Sequence, residues 1–361
     1  MKRKPGQWFS LLVILPIVWV ACTSAPSPAA TPTATPEPQE LNIYNWDTYI
    51  DPAILTDFEK KFGVQINYDI YDGNEELLDR VKANPTAYDL IVPSDYTVTL
   101  MRREGLLAPL NKENLPNFKN IDPLFINPAL DPGNRYCAPY QWGTTAVGYN
   151  LKATGREIVS WDDVFDPAYA GRVALLDAAR ETLGVILLYL GYSPNSTNSV
   201  EIAAARDFLN DHAAQIAAYS GDDGQELLAD GQVDIVLEYS GDIFQVMEDH
   251  PDIRYAIPTE GTILWSDNMC IPASAPHQEL AEKFINYILE PEVGAALSNF
   301  THYSTPNLAA FPLVNEADRN NPSLYPSAEV RNRLFYLVDI GPEATELYEK
   351  AWADVLAAHT P

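Results

Sequence analysis

The stretch from Leu41 to Val92 constrains the fold most, because it switches repeatedly between two hydrophobic periods. Leu41 to Tyr44 is a short apolar run. Asp51-Pro52 then supplies an N-cap and a first-turn proline ahead of Ile54, Leu55, Phe58 and Phe62, a helical stripe that closes at Gly63. Val64, Ile66, Tyr68 and Ile70 alternate with polar residues, the period of a strand. A strand, a helix of about eleven residues and a second strand predict a right-handed βαβ unit. The alternation continues with a helix over Glu75 to Ala83, a buried strand over Tyr88 to Val92, and Ser94-Asp95 capping a helix toward Arg103. It resumes with a strand over Val173 to Leu176, a helix carrying Leu183, Ile186, Leu187 and Leu190, helices near 199–213 and 224–230, and a strand over Asp234 to Leu237. The expected fold class is α/β.

The first forty residues stand outside that pattern. Lys2, Arg3 and Lys4 precede an apolar run from Trp8 to Ala21 that contains Pro16 and ends at Cys22. The run is shorter than the roughly 20 residues of a membrane span and reads as a secretory signal, residues 1–21. Val20-Ala21-Cys22 has the form of a lipobox, which makes Cys22 the expected lipidated N-terminus, with Trp19 where such motifs usually carry leucine. Residues 22–40 are rich in proline, threonine and alanine and predict an extended tether, reaching some 50 Å at roughly 3.1 Å per residue. The location implied is periplasmic or cell-surface, lipid-anchored to a membrane. About 320 residues remain, more than one core usually serves, so two lobes are expected.

Losing Lys2, Arg3 and Lys4 takes the net charge from −27 to −30, which argues against nucleic acid or anionic lipid and suits a cationic ligand. The five histidines are scattered and no EF-hand spacing occurs, so neither metal nor cofactor is expected. GxSxG, phosphate-loop and GxGxxG motifs are absent as well. Cys137 and Cys270 are the other two cysteines, and a bridge or two buried free thiols both fit an exported chain.

Ligands of open α/β sheets bind beyond the carboxyl ends of strands. Trp46, Tyr49, Ser94, Asp95, Tyr96, Asp177, Glu181, Glu238, Tyr239 and Asp242 all follow expected strands, and one cleft lined by them is expected. Period two puts Trp265 and Asp267 on one face of a strand, free to point into the same cleft. Aromatic rings with carboxylates serve a glycosidase, where two acids flank the scissile bond. They equally serve an ammonium ligand, whose charge a ring face attracts and whose methylenes it shelters.

The motifs that narrow this choice are Tyr44-Asn45-Trp46-x-x-Tyr49, Tyr88 through Ser94, Pro139-Tyr140-x-Trp142-Gly143, Asn150, Leu175 through Glu181, Glu260-Gly261-x-x-x-Trp265-x-Asp267 and Tyr303-x-Thr305-Pro306-Asn307. Together, over about residues 41 to 351, they resemble the bacterial periplasmic spermidine/putrescine-binding proteins, the receptors of polyamine ABC transporters. The resemblance implies a type II periplasmic binding protein, two α/β lobes joined by a two-crossover hinge near residues 144 and 266. Residues 41–144 and 267–311 would form one lobe, and 145–266 with 312–361 the other. It implies no enzyme, but a monomeric receptor that closes on a polyamine and delivers it to a membrane permease, with a sugar as the alternative solute. Trp46, Tyr49, Tyr96, Tyr239, Trp265 and Tyr303 would box the aliphatic stem, Tyr239 in place of a usual tryptophan. Ser94 would give a polar contact, Glu181 and Asp267 would take amines, and Asp242 is similar to the putrescine-type members. Ala178 and Leu337 stand where spermidine-type members carry Asp and Gln, while Asp47, Asp95 and Glu238 are acids near the same cleft, their orientation open. Cys137 and Cys270 lie beside the two crossings, where a disulfide would tie neighbouring strands.

Overall fold

The computed structural model describes Gly6, residues 39–221 and residues 223–359. The expected leader, apart from Gly6, and the lipidation site Cys22 lie outside the described residues. Among these residues no helix is long and apolar enough to cross a membrane. Strand β1 reaches into the segment expected to be tether, since it spans Gln39–Trp46, and Gln39 and Glu40 pair with Val64 and Gln65.

The first βαβ unit forms for the reasons its residues suggest. Asp51 caps helix α1 (Pro52–Phe62) by accepting the Ala53 N–H at 2.8 Å, and Gly63 ends it at φ 67°, a left-handed conformation glycine adopts without steric cost. Strand β2 (Val64–Tyr71) then pairs parallel to β1. Helix α2 spans Asn74–Ala83, the short strand β3 is Leu90–Ile91, and helix α3 spans Asp95–Arg103.

The longest strand, β4 (Cys137–Asn150), is buried along nearly its whole length. It is followed by β5 (Val173–Leu176), β6 (Ile216–Ser220), β7 (Ile235–Tyr239), β8 (Ile253–Ala256), β9 (Thr262–Cys270) and β10 (Leu334–Tyr336). One sheet runs β2-β1-β3-β9-β4-β7-β5-β6, with β10 beside β9 and β8 beside β4. Leu41, Ile43, Phe58, Leu90, Met101 and Phe284 lie in one apolar core, and Trp161, Leu175, Ile186, Leu237 and Trp352 in another. A third, with Val236, Ile243 and Phe244, covers the opposite face of β7.

Strands β4 and β9 run antiparallel from Cys137↔Cys270 to Thr145↔Ile263 and pass through both main cores. Cys137 and Cys270 are disulfide-bonded, directly opposite each other with Cα atoms 4.4 Å apart, the close spacing of a non-hydrogen-bonded antiparallel pair. The bond ties residues 133 apart in sequence, and closing so long a loop in the unfolded chain stabilises the fold by roughly 4–5 kcal/mol on the chain-entropy account. Thr144 and Ser266, near which the resemblance puts the two crossings, pair on this ladder with Leu264 and Trp142.

Candidate functional site

Two adjacent residue pairs meet crosswise at the centre of the cleft. Ser94, the N-cap of α3, turns its hydroxyl from its own helix and donates to Asp267 Oδ1 at 2.6 Å. Asp95 reaches the other way and accepts the Ser266 N–H at 2.9 Å and its hydroxyl at 2.8 Å. Tyr49 completes the Asp267 set with a hydroxyl bond of 2.8 Å to Oδ2. Tyr49 is brought back toward β9 by a turn in which Thr48 has φ 48° and donates its N–H to Asp47. A β-branched residue in that region costs on the order of 1–3 kcal/mol, a strain the surrounding contacts must hold.

A second acid stands across the cleft. Asp242, in the first turn of the helix Ser240–Asp249, accepts the Tyr303 hydroxyl at 2.5 Å and the Gln245 amide at 3.3 Å. Glu181 occupies the first turn of the helix Ala179–Tyr189, where the helix dipole favours a carboxylate. Its neighbour Arg180 binds the Val338 carbonyl and Asn195, with its guanidinium near both the Tyr348 ring and the back of the cleft-lining Tyr96 ring. Asp47 is exposed at the rim, and among the described residues no lysine or arginine lines the cleft.

The walls are aromatic. Trp265 packs against Tyr303 at 5.3 Å between ring centroids and edge-on to Tyr239 at 5.8 Å, and Tyr49 meets Tyr303 edge-on at 5.0 Å. Both indole N–H groups are engaged by protein, Trp46 to the Val92 carbonyl at 3.0 Å and Trp265 to the Thr145 hydroxyl at 3.1 Å. That fixes each indole's orientation. Two glycines permit this packing. A Cβ on Gly143 would lie 2.8 Å from the Trp265 ring, and one on Gly241 2.4 Å from the Tyr303 ring.

The space left free inside the cleft is about 40 Å³, well below the roughly 300–1,000 Å³ usual for small-molecule sites, so the rings and acids stand close together. Burial raises Asp95, Asp242 and Asp267 from the usual carboxylate range to about 7, against the lowering pull of their hydroxyl donors. Burial, then the charge of Glu75, raises Glu181 to about 7 as well. A cluster of buried acids with no lining base is a place where a cation is stabilised and an anion is repelled.

All twelve residues expected to bind ligand line this one cleft, with Leu337, where spermidine-type members carry Gln, among them. Two strand-end acids expected to join them do not. Asp177 accepts the indole N–H of Trp352 at 2.8 Å and is held against the C-terminal helix. Glu238 precedes cleft-facing Tyr239, so strand alternation sends it to the opposite face, fully buried beside Gly224, where it takes the Tyr239 N–H. Asp95 lines the cleft, but its carboxylate is committed to Ser266.

Sequence reasoning missed Asn74 and Ile263, which also line the cleft. Asn74 accepts the Ser94 N–H at 3.1 Å and begins α2 one residue earlier than expected, just beyond β2. Ile263 shares strand parity with Trp265 and Asp267, so extending that period by one step finds it.

Residues 53–321 match the family model of bacterial extracellular solute-binding proteins. The spermidine/putrescine-binding periplasmic protein of Salmonella typhimurium is 37% identical over 319 residues, 88% of this chain and 91% of that protein. The putrescine-binding periplasmic protein PotF of Escherichia coli is 34% identical over 343 residues, covering 90% and 93% of the two chains. Among solved structures, the spermidine/putrescine ABC transporter substrate-binding protein PotD from Streptococcus pneumoniae aligns with a TM-score of 0.79 at 35% identity, over 89% of this chain and all of that one. A type II binding-protein fold, an acid-lined aromatic cleft where its two long shared strands meet, and these likenesses agree: the chain belongs to the bacterial extracellular solute-binding protein family.

Proposed function

We propose that this chain is an extracytoplasmic receptor for putrescine or spermidine that closes on its ligand and delivers it to the permease of an ABC transporter, held at the membrane by a lipid on Cys22. The observation that carries the reading is the cleft itself, aromatic along its walls, acidic at separate points and without a basic lining residue. Each charge-assisted hydrogen bond to an amine contributes about 1.5–3 kcal/mol, and each ring face about 0.5–2 kcal/mol to a nearby ammonium while it shelters methylenes. Asp267, Asp242 and Glu181 take the amines in this reading, Trp46, Trp265, Tyr239, Tyr303, Tyr49 and Tyr96 enclose the stem, and Asp47 closes the rim. Asp267 and Tyr49 neighbour the first core and Glu181 and Asp242 helices of the other cores, so a ligand touching both sides binds the closed form better and shifts the equilibrium toward it. Binding and release make or break no covalent bond. Calorimetric titration with putrescine, spermidine, maltose and a peptide tests the proposal; heat with either polyamine is expected, and binding of maltose alone overturns it.

A further inference from the structure

His302 lies outside the cleft, and the proposed binding gives it no task. It ends the helix Pro291–Thr301 at φ 54°, a left-handed conformation uncommon for histidine, and is largely buried. Its ring bridges two carboxylates, Nε2 to Glu248 Oε1 at 3.2 Å and Nδ1 to Asp318 Oδ2 at 3.1 Å. Glu248 belongs to the helix Ser240–Asp249, the one whose first turn carries the cleft acid Asp242. Three residues of that helix grip the successive residues 301–303. Asp242 takes the Tyr303 hydroxyl, Gln245 donates to the Thr301 carbonyl at 3.1 Å, and Glu248 pairs with His302. Ile243 and Phe244 of the helix belong to one apolar core, Leu297 and Tyr303 to another.

We propose that Glu248, His302 and Asp318 form a latch beside the cleft that favours closure and so tightens polyamine binding without touching the ligand. His302 and Glu248 are positioning residues. The charged groups facing the ring are Glu248 from the helix Ser240–Asp249 and Asp318 from the short helix Glu316–Arg319. They raise the imidazole above its ordinary value against the lowering effect of burial. The latch is therefore charged at low pH and weakens as pH rises through that raised value.

The inference rests on the polyamine reading, and the test separates the two. Glu248 is mostly exposed, so Glu248→Gln is expected to fold. At pH 6 it should raise the putrescine dissociation constant about two- to fivefold, chiefly through faster release, and the ratio to the unaltered protein should approach one at pH 9. In a His302→Asn background, where asparagine tolerates the left-handed conformation, Glu248→Gln should add nothing. A ratio of one at every pH, or a ratio independent of pH, overturns the latch. If no polyamine binds either protein, hydrogen exchange of residues 299–304 in the ligand-free proteins decides alone: faster exchange in Glu248→Gln at pH 6 supports the latch, and unchanged exchange overturns it.

Discussion

Asp95 and Asp267 are both buried, both raised to about 7 and both bonded to serine in the crosswise contact of α3 with β9, yet they are held differently. Asp267 is held by the hydroxyls of Ser94 and Tyr49, which rotate and can share the carboxylate with an incoming ammonium. Asp95 accepts a backbone N–H, which cannot turn away, together with the Ser266 hydroxyl. Burial and proton affinity therefore do not distinguish the acid proposed to meet a ligand from the one that pins a strand. The nature of the donor does.

The sharpest way to break that distinction is Asp267→Asn, which removes the charge and keeps the shape. One charge-assisted hydrogen bond of about 1.5–3 kcal/mol corresponds to a loss of roughly ten- to hundredfold in putrescine affinity by calorimetry. An unchanged affinity would transfer the ligand-holding role to another acid.

The shared proton affinity gives a second, smaller effect. Asp95, Glu181, Asp242 and Asp267 sit near 7 in the fold and near 4 when unfolded, so between those values the folded cleft holds more protons than the unfolded chain. Their contribution to ligand-free stability therefore falls as pH rises from about 4 to about 7. A bound cation favours the ionised forms, so the rise in melting temperature produced by putrescine should be larger at pH 8 than at pH 5.5. Equal shifts in scanning calorimetry at the two values would show that the acids do not sense the ligand's charge.

Asp95→Ala should have the smallest effect on affinity and a clear one on the fold. It strands the buried Ser266 N–H, at a cost of about 1–3 kcal/mol in chemical denaturation, while putrescine affinity stays within about threefold. A loss of affinity matching that of Asp267→Asn would erase the contrast between the two acids.

Much of this was legible in the chain, for identifiable reasons. Helix α1 announces itself because Asp51, Pro52 and Gly63 act within a few residues of where they stand. The length of strand β4, expected only around Cys137, escaped notice because both of its faces are buried, which removes the alternation, and because Pro139, Gly143 and Gly148 interrupt it. At the cleft, position after a strand found most of the acids but could not tell which way they point. Asp177 was claimed by an indole from the far end of the chain, Trp352, and Glu238 by a one-residue difference in strand parity. Asp95 shows the same limit at finer scale, since its partner lies 171 residues away in sequence.

Gly143 and Gly241 stand under the Trp265 and Tyr303 rings with no room for a further carbon atom. The width of the cleft thus depends on the absence of a side chain at two positions, one beside each ring. A methyl at either place would push an aromatic wall inward or lift a helix, so the width of the cleft can change at these two backbone positions with every acid of the cleft left in place.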